Sequence, residues 1–206
     1  IFYALEYRDG SLDLGSMEAR DREPFAFLQR VWDHPQGASC VGFKMTRGQN
    51  RDIMQNVIED PGVLKILLYR RNRLKTFISE QLARQTDRWE VYAWEELATE
   101  TSRLHVDVES FKAHCDLNEC FYKGIEDALR SGQQPWIETA YEDLLAYPEH
   151  VRLLEFLGTG KTDARLAQSS VKQGDTDLRT HIENYGELER ALEGSEYLAE
   201  LYDYEY

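Results

Sequence analysis

An α/β fold, a parallel sheet with helices on its faces, is predicted by three features of this sequence. Leu64, Ile66, Leu67 and Leu68 form a short apolar run suited to a strand buried on both faces. A second run, Trp136 to Tyr141, reads as another strand. Longer stretches with apolar residues at three- and four-residue steps stand around them, so strands alternate with helices.

The elements follow in order. Ile1 to Tyr7 is apolar and aromatic with no capping signal, and Asp9-Gly10 marks a turn. Pro24 to Trp32 carries an apolar stripe of Phe25, Phe27, Leu28, Val31 and Trp32, and a helix is expected there. Asp33-His34-Pro35 ends it, leaving His34 in a loop. Ser39 to Met45, with Val41 and Phe43 alternating, is expected to be a strand. Asn50 can then cap a helix running to about Ile58. Lys44 and Arg47 would sit at that strand's carboxyl end, as candidates to face an anionic substrate or as edge charges paired with acids. Asp60-Pro61-Gly62 turns the chain into the apolar run.

From Arg73 to about Arg88 the pattern is helical, with Leu74, Phe77, Ile78 and Leu82 on one face and Ser79 beside it. Trp89, Val91, Tyr92 and Trp94 form an aromatic cluster suited to core packing or to lining an acceptor pocket. Leu104 to Val108 reads as a short strand and Val108 to Arg130 as a long helix, with His114 as a core or surface histidine. Ser131-Gly132-Gln133-Gln134-Pro135 stops it. Tyr141-Glu142-Asp143-Leu144 opens the next helix with acids near its positive end. Pro148 to Leu157 is a further helix, closed by Gly158. A polar loop follows, then helical turns over Leu178 to Tyr185 and Gly186 to Leu192, and an acidic, tyrosine-rich end.

Composition narrows the function classes. A chain of 206 residues with a formal net charge of −14 lacks the broad basic face of a nucleic-acid binder, so no nucleic-acid partner is expected. No run approaches the roughly 18 apolar residues of a membrane span. Cys40, Cys115 and Cys120 are odd in number and lack CxxC spacing. Neither a disulfide framework nor a metal site is expected, and a reducing, cytoplasmic setting fits. No glycine-rich phosphate loop, repeat or heptad array occurs.

Against that acidity, Lys65, Arg70, Arg71, Arg73 and Lys75 fall within eleven positions. The strand at 64–68 would deliver Arg70 and Arg71 to the edge where open α/β sheets bind ligands. Ser79 follows Arg71 by eight residues, roughly two turns along the next helix. A guanidinium fork and a hydroxyl so placed can hold one phosphate between them; a solvated helix start is the plainer alternative.

Arg71-Asn72 with Ser79 resembles the 3′-phosphate motif of sulfotransferases that use 3′-phosphoadenosine 5′-phosphosulfate (PAPS). The likeness is to the bacterial group of nodulation-factor, lipopolysaccharide and trehalose sulfotransferases. Pro24 to Trp32, Val41-Gly42-Phe43-Lys44, Val63 to Ala83, Thr86 with Trp89, and Tyr141 to Leu144 match that pattern in order. So do Val171-Lys172-Gln173 and Ile182 to Tyr185, so the resemblance covers most of residues 24 to 198. It implies a three-layer α/β/α fold with a central parallel sheet, related to P-loop nucleotide kinases, with 1–206 as one domain. It further implies transfer of a sulfuryl group from PAPS to a hydroxyl of a carbohydrate, lipid-linked or other small acceptor, leaving adenosine 3′,5′-bisphosphate. Arg71 and Ser79 would hold the 3′-phosphate with Arg70 assisting, and Lys172 and Gln173 would close over the nucleotide. Lys44 would lie near the transferred group, with Arg47 and Trp89 near the acceptor.

One departure stands out. The family's opening strand, its 5′-phosphosulfate loop and its first helix have no counterpart here, and the resemblance would place them before Ile1. Such a loop works through backbone amides at a helix N-terminus. An incomplete enzyme is therefore expected. The alternatives are a nucleotide kinase relative and a non-catalytic nucleotide-binding or protein-interaction module of the same fold.

Overall fold

A computed structural model describes residues 14, 16–35, 37–86, 103–160 and 177–202. The chain is mixed α/β and mostly helical, and the sheet among these residues is a parallel pair of strands. In order run α1 (Met17–Arg22), α2 (Pro24–Trp32), α3 (Arg51–Glu59), β1 (Lys65–Tyr69), α4 (Arg73–Thr86) and α5 (Val108–Ser131). Then come β2 (Trp136–Ala140), a 3-10 turn (Tyr141–Leu145), α6 (Tyr147–Phe156), a 3-10 turn (Leu178–Thr180), α7 (Tyr185–Leu192) and a 3-10 turn (Glu196–Leu201).

Local chemistry explains where most helices start. Ser16 accepts the N–H of Ala19 at the head of α1, and Pro24 supplies the first residue of α2. Asn50 caps α3 through the N–H of Ile53 at 3.0 Å, as its sequence position foretold. Asn72 caps α4 through the N–H of Lys75 at 2.7 Å, and Asp107 caps α5 through the N–H of Ser110 at 2.8 Å. α5 ends where Gln133 takes a positive φ of 50°.

The described residues group into two compact units. One is drawn from Ile1–Leu67, Lys123–Ile137 and Val151–Asp163, the other from Leu68–Tyr122, Glu138–His150 and Ala164–Tyr206. In the first, Leu14, Phe27, Leu28, Val31 and Ile53 form the core, with Trp32, Val41, Phe43 and Met45 packed against it. In the second, α4, α5 and α7 bury Leu74, Phe77, Phe111, Ile182 and Leu188, among others.

Three expectations require correction. Residues 39–45 are not a strand: side-chain burial alternates along 41–45, as the pattern of Val41 and Phe43 foretold, but among the described residues they are not paired into a sheet. Extended backbone becomes a strand only when a neighbour takes its N–H and C=O groups. β1 is not buried on both faces, since Leu64, Ile66 and Leu68 are each about 40% exposed. Lys65 and Leu67 are the buried residues, and the Lys65 ammonium is satisfied by the main-chain oxygen of Asp60 and by Gln134 Oε1 at 2.9 Å. Leu104 forms an isolated parallel bridge with Ile182 in place of a strand, through Leu104 N–H to His181 O and Glu183 N–H to Leu104 O, both 2.8 Å. Among the described residues no helix is long and apolar enough to cross a membrane.

Candidate functional site

Of the residues singled out by sequence, Arg70 and Arg71 stand together at the end of β1, within the second unit. Tyr69 ends the strand, and Arg70, Arg71 and Asn72 make the turn into α4. Such a turn presents free main-chain N–H groups beside the positive end of a helix, which makes it a natural anion cradle.

In this protein the cradle is filled from within. Glu142, in the turn after β2, accepts the N–H of Arg71 at 3.0 Å through Oε1 and at 3.2 Å through Oε2. Its Oε1 also takes the N–H of Asn72 at 3.4 Å. Asp143 faces the Arg71 side chain as a parallel fork, Nη1 to Oδ1 at 2.9 Å and Nη2 to Oδ2 at 2.5 Å. That bond holds the pKa of Arg71 above the ordinary arginine value. Arg70 lies over the ring of Tyr141, its guanidinium carbon 5.1 Å from the ring centre.

A third carboxylate, from the C-terminal part of the described chain, closes the start of α4. Buried Glu200 accepts the N–H of Leu74 at 2.8 Å and the Nε–H of Arg73 at 2.7 Å. Buried Asn72 donates Nδ2–H to the main-chain oxygen of Glu200 at 2.8 Å. Arg73 also reaches Glu196 and stacks on Tyr197 with a 4.5 Å carbon-to-ring distance. Burial acts against its charge, and the bonds to Glu200 and Glu196 outweigh that effect, leaving its pKa raised.

Ser79 stands exposed on α4. The rise of an α-helix carries it roughly 9 Å along the axis from Arg73. Lys44 is exposed and Arg47 half-buried in the first unit. Trp89, Lys172 and Gln173 lie outside the described residues. His34 is exposed, whereas His114 is buried against Phe77, with Glu80 at 3.5 Å and Asn118 at 2.8 Å.

Sequence reasoning missed the partners. It marked Glu142 and Asp143 as acids at a helix start, but nothing local signals that they meet Arg71 some seventy positions earlier. Glu200 is further still, 126 residues from Leu74. Scans against protein-family models, curated proteins and solved structures each find no match to this chain.

Proposed function

We propose that the end of β1 and the start of α4 form the 3′-phosphate half of a PAPS site in a sulfotransferase. The acceptor would be a hydroxyl on a carbohydrate, lipid-linked or other small molecule. One observation carries the reading: an exposed arginine at the tip of a parallel strand grips a two-oxygen anion, the Asp143 carboxylate, with both terminal nitrogens of its guanidinium. That carboxylate stands in for two phosphate oxygens, so the fork has the geometry such a ligand needs.

Other features support the same reading. β1 and β2 would be part of a central parallel sheet in a three-layer α/β/α fold. The exposed apolar row of Leu64, Ile66 and Leu68 fits a strand whose second face is meant to be covered. PAPS would supply the activated sulfuryl group. Arg71 would orient its 3′-phosphate, with Arg70 adding charge and Ser79 a hydroxyl donor. Lys172 and Gln173 would close over the nucleotide, Lys44 would lie near the transferred group, and Arg47 and Trp89 would face the acceptor. Catalysis in this chemistry is mainly positioning and charge stabilisation.

A second reading, a non-catalytic interaction module, is favoured by the way Glu142, Asp143 and Glu200 occupy the donors around the α4 start. Titration calorimetry separates the two. The enzyme reading expects adenosine 3′,5′-bisphosphate to bind more tightly than ATP, and Arg71→Ala to weaken it by about tenfold or more, the scale of a charge-assisted pair. Unchanged affinity in Arg71→Ala rejects the site. Preference for ATP favours a kinase relative, and no binding of either nucleotide favours the module.

A further inference from the structure

Glu142 and Asp143 are adjacent in sequence but are held in different ways. Glu142 bonds to two main-chain N–H groups of the β1–α4 turn, so its departure would leave Arg71 and Asn72 without those acceptors. Among the described residues the Asp143 carboxylate bonds to the tip of one side chain, and both partners are open to water, with Arg71 53% and Asp143 42% exposed. Water competes for both charges, which keeps an exposed fork weaker than a buried one. Glu142 is built as a fixture, and Asp143 as a contact that can open.

We infer that Asp143 is an internal competitor for Arg71, an autoinhibitory carboxylate that must swing away before a ligand anion can take the paired N–H groups at the end of the guanidinium. The inference rests on the nucleotide-site reading of Arg71. Two anions cannot share the same pair of N–H donors, and a phosphate brought beside an undisplaced Asp143 meets like charge. Arg73 does not relieve this, because it is committed to Glu200 and Glu196. Apparent affinity is therefore the intrinsic affinity reduced by the fraction of molecules in which Asp143 is off Arg71.

Competition has a signature that a structural role lacks: its removal strengthens unrelated anions by one common factor. Calorimetry with adenosine 3′,5′-bisphosphate and, separately, with inorganic phosphate is done on the wild type, Asp143→Asn, Asp143→Ser and Arg71→Ala. The double variant Arg71→Ala/Asp143→Asn completes the cycle. Both Asp143 variants are expected to bind both anions more tightly, by a similar factor of about three to ten, and the gain is expected to vanish without Arg71. Binding by the Asp143 variants alone, with none detectable in the wild type, is the same result in stronger form. Unchanged affinity in both Asp143 variants, while Arg71→Ala still weakens the nucleotide, overturns the inference and leaves the nucleotide site standing. A gain that survives in the double variant, or is confined to one anion, also overturns it. Failure of every protein to bind either anion removes both readings.

Discussion

Glu200 and Leu74 lie 126 residues apart, and the Glu200 carboxylate accepts the Leu74 main-chain N–H at 2.8 Å while binding the Arg73 guanidinium at 2.7 Å. The side chain is buried, so it acts as a helix cap supplied from the other end of the described chain. Glu200→Ala is expected to lower stability by about 2 kcal/mol, combining a lost cap with an unsatisfied buried donor. Glu200→Gln keeps an acceptor and should lose less. Urea unfolding would show a lower midpoint at unchanged slope. Equal midpoints for wild type and Glu200→Ala would refute the cap.

His181 offers the opposite case. Among the described residues neither of its buried ring nitrogens has a hydrogen-bond partner, and Leu178 and Ile182, near it in the chain, belong to the second unit's core. An unsatisfied buried polar group costs about 1–3 kcal/mol. His181→Leu is therefore expected to match or exceed wild-type stability, by up to about 2 kcal/mol. The backbone bridge to Leu104 is untouched by the change. A melting temperature clearly below wild type would show that the ring makes a stabilising contact.

Acid should loosen α5 at its start. Asp107 accepts the N–H of Ser110, and that bond to the charged carboxylate holds its pKa below the ordinary value. The unfolded chain, with Asp107 at about 3.9, thus binds the proton more readily than the folded one. The contribution is complete above that value and is lost as pH falls through the folded pKa. Asp107→Asn keeps an acceptor but does not titrate, so its melting temperature should fall less steeply than wild type below about pH 4. Parallel curves for the two proteins would remove Asp107 from the acid response.

Legibility followed distance along the chain. α2, α3, α5 and α6 stand close to where periodicity and punctuation placed them, because caps, stops and apolar steps act within a few residues. Asn50 was readable as a cap for the same reason. The run at 39–45 shows the limit: its alternating side chains predicted which residues turn inward, but pairing depends on a neighbour that composition does not name. β1 shows it again. A run of leucines and isoleucine reads as doubly buried, yet Lys65 and Leu67 are the residues covered, since a lysine stem and its bonds to Asp60 and Gln134 fill that side.

The sequence by itself determined where α2, α3, α5 and α6 run, and that a knot of positive charge follows one apolar strand in an acidic chain. Only the tertiary structure decided what that charge meets. Glu142 and Asp143 come to Arg71 because β2 runs parallel to β1, and Glu200 comes to Arg73 by the packing of the last 3-10 turn. Local bonding rules reach three or four residues along a chain, whereas the pairing of opposite charges is set by whichever segments the buried core draws together.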